Sequence, residues 1–253
     1  MIIIADSGSS KTDWKICENN SVLHSFSTIG LNPFFVSSKD IAEITEKALL
    51  PDFDVLKPEK LYFFGSGCAS QENKNIIIKG LNSVFPKTEI FVETDMYGAC
   101  LALFGADNGV GAILGTGMNA CVWENMKISN SAVSLGYILG DEGSGTALGK
   151  ILLRDYLYKL MPQDLISQFN ETYAYSKDEI LKNIYKSNRP NYFLASFNHF
   201  IYKHIDNEYL YRLVYNQFDI FFKIHLTKLN EKFNYEIGFV GSVAYAFSKI
   251  LYS

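Results

Sequence analysis

Arginine is nearly missing from this chain. Of 23 basic residues only three are arginines (Arg154, Arg189, Arg212), and none precedes position 154. A phosphate group held in the first half must therefore meet backbone N–H groups, lysine or a metal ion. Cysteine is sparse as well. Cys17, Cys68, Cys100 and Cys121 form no C-x-x-C pair and have no histidine at ligand spacing, which excludes a zinc ribbon or a disulfide scaffold and leaves reduced, buried thiols in a cytoplasmic protein as the expectation. No apolar run approaches the ~18 residues of a membrane span. The start, Met1 to Asp6, lacks the basic segment of an export signal. Excess positive charge is lacking too: the net charge is −4 and the pI about 5.6. No overall field favours nucleic acid or an anionic membrane, and neither is expected as a partner.

What is present is material for cores. Apolar residues make up 48% of the 253 positions and aromatics 15%, so the chain is globular and long enough for one large domain or two modest ones. Residues 2–6, 12–17 and 21–27 read as strands, 38–50 as a helix, 60–64 as a strand, 71–84 as a helix, 89–93 as a strand and 95–106 as an apolar helix. A strand at 110–114, a Gly115-Thr116-Gly117 turn and a strand at 118–123 then repeat the layout of residues 2–20 about 107 positions later, with a second loop a few residues shorter. Internal duplication and chance likeness of two hairpins both remain open at this level. Downstream follow a glycine-rich loop (136–145), a helix (146–160), a helical stretch (178–232) whose aromatics read as core, a strand (236–240), a turn and a helix (243–251). The end on Ile250, Leu251 and Tyr252 reads as a chain cut before its finish.

Two phosphate motifs fail on inspection. Gly8-Ser9-Ser10-Lys11-Thr12 ends like a P-loop, but Ala5 and Ser10 stand where its glycines belong and a strand follows instead of a helix. Gly115 to Ala120 fits G-x-G-x-x-A, yet no long helix follows, which argues against a dinucleotide fold. What remains is a pair of small-residue hairpins. Each lets backbone N–H groups approach phosphate oxygens; the first adds Asp6, able to hold Mg²⁺ through water, with Lys11 and the Thr12 hydroxyl. Asp95, where the strand 89–93 meets the next helix, is either a helix cap or a carboxylate able to take a proton from an attacking hydroxyl. Asp141 and Glu142 are likewise a cap pair or a loop that binds hydroxyls or metal. Asn32 precedes Pro33 and can simply open a turn. The four histidines form no ligand or triad pattern and receive no role.

In chain order, Asp6-Ser-Gly-Ser-Ser-Lys-Thr12, Gly30-Leu-Asn32, Thr94-Asp95, Gly115-Thr-Gly117, Gly136 to Ser144 with its GDEGS core, and Gly241-Ser-Val-Ala244 resemble the N-acetylglucosamine kinase family. That family lies within the actin-like ATPases, beside ATPases that activate 2-hydroxyacyl-CoA dehydratases. The resemblance spans nearly the whole chain. It implies an α/β protein of two ribonuclease-H-like lobes, 1–107 and 108–253, each a mixed five-stranded sheet with helices, with ATP and sugar in a cleft between them.

Carried over position by position, the resemblance makes Asp95 the catalytic base acting on the 6-hydroxyl of an N-acetylhexosamine, N-acetylglucosamine first. Gly8, Ser9, Ser10, Lys11 and Thr12 match the first phosphate loop, and Thr116 and Gly117 the second. Gly241 and Ser242 match the turn near the adenosine. Asn32, Gly136 and Asp141, with Asp95, match sugar contacts, and Asp6 matches the acid associated with Mg²⁺. The first loop has fewer glycines than the family usually shows, and Ser134-Leu135-Gly136 stands where Gly-Trp-Gly is common, which leaves the particular sugar open. A homodimer is open too. The alternative of another class is an activator or switch ATPase without a sugar; the cysteine spacing does not match its iron–sulfur site. A sugar-binding relative without turnover is a third reading, against which the intact Asp6, Asp95 and Asp141 speak.

Overall fold

The computed structural model describes residues 1–8, 10–49 and 58–253. The chain divides into two compact units, Met1–Ala102 and Leu103–Ser253.

The first unit follows the expected order of elements. Strands β1 (Ile2–Ser7), β2 (Lys11–Glu18) and β3 (Ser21–Ile29) form an antiparallel meander. Helix α1 (Ser38–Leu49), β4 (Lys60–Gly65), α2 (Gln71–Val84), β5 (Glu89–Thr94) and α3 (Asp95–Phe104) follow. The sheet order is β3-β2-β1-β4-β5, with β4 and β5 parallel to β1. Strand alternation sorts the two faces. Ile3, Ala5, Trp14, Ile16, Leu61 and Phe63 pack with Ile41, Ile77 and Leu81 of α1 and α2 in one core. Asp6 and Asp13, directly paired across β1 and β2, point to the other face, as does Phe64, the β4 neighbour of Asp6.

The second unit repeats the meander. Strands β6 (Gly109–Leu114), β7 (Met118–Glu124) and β8 (Lys127–Ser131) pair antiparallel, and β9 (Ile237–Val240) runs parallel to β6. The likeness extends to detail. Both meanders carry a register shift two residues before the second turn, at Ile16/Cys17 and at Val122/Trp123. Both second turns hold their central residues at positive φ, Asn19 and Asn20 in one and Asn125 and Met126 in the other, as the type I′ hairpin requires. Between the closing pairs Ser7↔Thr12 and Leu114↔Met118 the two glycine loops have four and three residues, so the second is shorter by one.

Two expectations are corrected. The second sheet has four strands, in the order β8-β7-β6-β9, because the chain after β9 turns into α12 (Ser242–Ala246) and α13 (Ser248–Leu251) rather than another strand. β8 itself, polar and short, carries little of the alternation that marks a strand. The glycine-rich loop also contains a helical turn, α4 (Gly136–Leu139), before α5 (Gly145–Leu157). The rest is helical: α6 (Gln163–Thr172), α7 (Lys177–Tyr185), α8 (Pro190–Ser196), α9 (Asn198–Lys203) and α10 (Glu208–Phe221). A π-helical turn (Phe222–Leu226) then leads into α11 (Thr227–Asn230). Phe169, Phe197, Phe200, Phe218 and Phe221 are buried with Leu148 and Leu152 of α5, each ring contributing about 1.5–3 kcal/mol by leaving water. Ile250 and Leu251 close this same core.

Candidate active site

In the first unit the site is built on the polar end of the sheet. Asp95 is the first residue of α3, but it is not the helix cap. The hydroxyl of Thr94 accepts the Tyr97 amide at 3.1 Å, the bond an N-cap residue makes to the third helical N–H. Asp95 turns Oδ1 to the Met96 amide at 2.8 Å, and its own backbone amide also bonds the carboxylate. Its placement follows from Gly98: a Cβ there would lie 2.6 Å from Cγ of Phe64, so α3 can lie directly on the Phe64 face, with Tyr97 stacked on the Phe64 ring. That is the face of Asp6. Burial pushes the Asp95 carboxyl up to about 6, the Met96 amide draws it down, and the charge of Asp6 raises it further. Asp6 is raised as well, by desolvation and by Asp13, with Lys11 opposing. The neighbouring Cys68 thiol is pushed up to about 12, by burial and then by the Asp95 charge, and stays neutral.

The first glycine loop differs from the expectation. Thr12 is fully buried, and its hydroxyl is bonded to Ser7 Oγ at 2.8 Å and to the Ile29 carbonyl at 3.2 Å and accepts the Leu31 amide at 3.2 Å. The hydroxyl is therefore occupied inside the unit rather than presented to a phosphate. Strand parity explains this: Thr12 shares the core face with Trp14 and Ile16. The Gly8 amide donates to the Lys11 carbonyl at 2.9 Å and so closes the hairpin instead of pointing outward. The Ser10 carbonyl accepts the Gly30 amide. Lys11 is exposed, its Nζ 2.7 Å from Asp13. Ser9 lies outside the described residues. Thr12→Val is expected to cost about 1–3 kcal/mol, the penalty for stranding buried polar partners, with ATP affinity within about twofold of the parent. Chemical denaturation and nucleotide titration check the two halves; a phosphate contact would give the reverse pattern.

Asn32 is buried and acts on its own turn. Its Oδ1 accepts the Phe34 amide at 3.0 Å, and its Nδ2 reaches Ser66 only at 3.5 Å. Gly67, at φ +86°, passes so close that a Cβ would sit 2.5 Å from this Oδ1. Beyond buried Pro33, the side chains of Phe34 and Phe35 are exposed.

In the second unit three glycine segments converge. The carbonyls of Gly115 and Thr116 accept the amides of Gly145 and Thr146 at the start of α5, at 2.8 and 3.1 Å, and the Thr146 hydroxyl also donates to the Thr116 carbonyl. Gly241, at φ +107° and ψ 158°, begins α12 against the same loop, where a Cβ would lie 2.4 Å from the Leu114 carbonyl oxygen. Ser242 beside it is exposed. Asp141 is buried at φ +62°. Its carboxylate accepts the Met118 amide and would stand 3.1 Å from a Cβ on Gly117. Burial raises its proton affinity, the Met118 amide lowers it, and Glu142 raises it again. Gly136, at φ +68°, has open space where a Cβ would project, amid exposed Leu135, Ile138 and Leu139.

Sequence reasoning missed several of these partners. Thr94 could have been found as a Thr three residues before a helical amide. Asn198, whose Nδ2 donates to the Gly145 carbonyl at 2.7 Å, and His225, 3.0 Å from Glu142, could not, because 53 and 83 positions separate the partners. His225 forms no ligand or triad pattern in the sequence, but it is held by Glu142. A cavity of about 680 Å³ in this unit lies along α5 and α10, lined by Arg154, Asp155, Tyr209, Arg212 and Gln217. Arg154 is paired with Asp155 and Arg212 with Glu208, so neither offers an unanswered charge. Cys68, Cys100 and Cys121 are buried and Cys17 is half-buried.

Two units, each an antiparallel meander extended by parallel strands with a small-residue loop at its first hairpin, define the actin-like ATPase fold of sugar kinases. No family model and no curated protein matches the sequence. Among solved structures, the "Putative N-acetylglucosamine Kinase" of Porphyromonas gingivalis is 37% identical, with 99% of this chain covering 89% of that one at a TM-score of 0.94. The chain belongs to this N-acetylglucosamine kinase family. The protein of the same description from Chromobacterium violaceum is 16% identical, with 99% and 90% of the chains covered and a TM-score of 0.80. A ROK-family glucokinase of Streptomyces griseus, solved with glucose and AMPPNP, is 14% identical over 100% and 90% of the chains at a TM-score of 0.61. These last two likenesses concern the fold alone. No helix among the described residues is long and apolar enough to cross a membrane.

Proposed function

We propose that this chain transfers the γ-phosphoryl group of ATP to the 6-hydroxyl of an N-acetylhexosamine, N-acetylglucosamine first, with Asp95 as general base. The observation that carries the reading is the division of labour at the start of α3: Thr94 makes the capping bond, so the Asp95 carboxylate is not spent on the third helical amide, and burial leaves it a proton affinity near neutrality. A base of that strength is mostly ionised at pH 7 yet still accepts a proton as the sugar oxygen attacks.

In phosphoryl transfer most of the rate comes from positioning and charge. In the first unit exposed Lys11 would exchange its ion pair with Asp13 for phosphate, while Asn32 and the exposed Phe34 and Phe35 are the surface for the sugar. In the second unit Thr116 and Gly117 form the phosphate loop, Gly241 and Ser242 the adenosine turn, and Gly136 and Asp141 further sugar contacts. Among the described residues no three His, Cys, Asp or Glu side chains form a metal cluster. Asp6 still fits the role of Mg²⁺ partner. It is paired across the strands with Asp13, its proton affinity is raised by burial and then by that charge, and the lysine beside it is engaged with Asp13. Such a hard oxygen site suits a cation that arrives with phosphate and water. When bound there, Mg²⁺ would neutralise charge on the phosphates.

Phosphorylation of a sugar panel (N-acetylglucosamine, N-acetylmannosamine, N-acetylmuramic acid, glucosamine, glucose) with ATP, read by ADP release and by the position of the phosphate, tests the reading. The expected result is a clear preference for an N-acetylated hexosamine; ATP turnover indifferent to every sugar would overturn it. The pH profile adds a second check. Because the base must be ionised, kcat/KM is expected to be flat above about pH 6 and to fall roughly tenfold per unit below it.

A further inference from the structure

Glu142 and His225 have no part in the scheme above, yet they join two segments 83 positions apart. His225 is buried and Glu142 three-quarters so, with Nε2 and Oε2 3.0 Å apart. His225 lies on the π-helical turn Phe222–Leu226. A π turn holds an extra residue and so changes the direction of the side chains that follow, and such turns recur at functional sites. One turn earlier, Phe218 and Phe221 press on Gly143: a Cβ there would lie 3.1 Å from Cβ of Phe221, and its φ of +77° is one that only glycine adopts freely. The segment Gly140 to Ser144 is thus packed on the end of α10 and bonded to the π turn through Glu142. Its other end reaches the second glycine loop, where Asp141 takes the Met118 amide and abuts Gly117. Asp141 holds a left-handed conformation, φ +62°, which a residue with a Cβ keeps only when its surroundings impose it. The charges facing the pair are Asp141 and Lys150, whose Nζ donates to the Tyr137 carbonyl.

We infer that His225 is a positioning residue: through Glu142 it holds the Gly140–Ser144 segment so that Asp141 braces the Gly115-Thr116-Gly117 loop. The inference deepens the proposed function, and rests on it only for its kinetic consequence. Removing the imidazole frees Glu142, lets Asp141 relax from its left-handed conformation, and loosens the Met118 amide.

Amide hydrogen exchange and steady-state kinetics on the full chain test this. In His225→Ala, peptides covering 140–145 and 115–119 are expected to exchange about tenfold faster or more, with α10 and the first unit unchanged. KM for the preferred sugar should rise about tenfold while kcat stays within about threefold. His225→Gln, which can still donate to Glu142, should restore both. Glu142→Ala should reproduce the exchange pattern, and the double variant should be no worse than either single one, since coupled partners are non-additive. If His225→Ala does not fold, Glu142→Ala decides. Faster exchange spread through the second core, additive effects, or no change at 115–119 would overturn the inference. An enzyme that phosphorylates no sugar would refute the proposed function, while the exchange experiment would still judge this one.

Discussion

Asp95→Asn is expected to lower kcat by about 10²–10⁴-fold, the usual range for loss of a general base, while ATP affinity stays within about twofold and stability does not fall. The last clause separates the two readings of this residue. Were Asp95 the cap of α3, its loss would cost stability and little rate. The Thr94 hydroxyl makes the capping bond, and an asparagine at 95 retains an oxygen for the Met96 amide. The folded protein moreover binds the Asp95 proton more tightly than the unfolded chain, about 6 against a model value of 3.8. Between those two values the native state carries more protons, so stability declines as pH rises through this window and is lowest above it. An uncharged side chain escapes that penalty. Above pH 7 the variant should be equal to the parent or more stable by about 1–3 kcal/mol, and at pH 4 the difference should vanish. Melting curves at the two pH values, with nucleotide titration at pH 7.5, measure each part. Full turnover in the asparagine variant would remove Asp95 from the mechanism.

The second large effect is at Gly241. Gly241→Ala is expected to destabilise the second unit by about 2–4 kcal/mol, from a backbone region nearly reserved for glycine plus a steric conflict. The conflict is with backbone: the added Cβ would meet the Leu114 carbonyl oxygen at 2.4 Å. No side chain can rotate away, so either α12 retreats or the Leu114–Gly115 peptide turns. The second choice displaces the phosphate loop itself. KM for ATP is therefore expected to rise at least about tenfold, measurable on the fraction that remains folded at low temperature. Gly136→Ala is a fair comparison, because its φ is also positive but no atom stands in the way; it should cost about 1 kcal/mol from strain alone. Equal effects at the two glycines would mean that the close approach at Leu114 does not matter.

Much of the fold was legible because its signals are local. The apolar run at 2–6, the alternation in 12–17 and the helical spacing of 71–84 fall where the strands and helix form. The four-strand limit of the second sheet and the polar β8 were not legible. A short edge strand such as Lys127–Ser131 gains its order from pairing with β7, not from its own composition. The site divides along the same line. The glycines, Asp6, Asp95 and Asp141 stand out because small residues and acids beside strand ends are rare enough to notice. The orientation of Thr12 was misjudged because a hydroxyl after a glycine loop suits a phosphate or a core equally well, until pairing with Ser7 fixes which face it takes.

By itself, then, the sequence determined the paired glycine loops, the order of elements and the acids available for chemistry, since each depends on residue type and near spacing. Only the tertiary structure decided which group caps α3, that the Thr12 hydroxyl is spent inside the first unit, and that His225 meets Glu142. Those outcomes depend on burial and on contacts between residues far apart in the chain, and burial is what sets both the proton affinity of Asp95 and the cost of every polar group left without a partner.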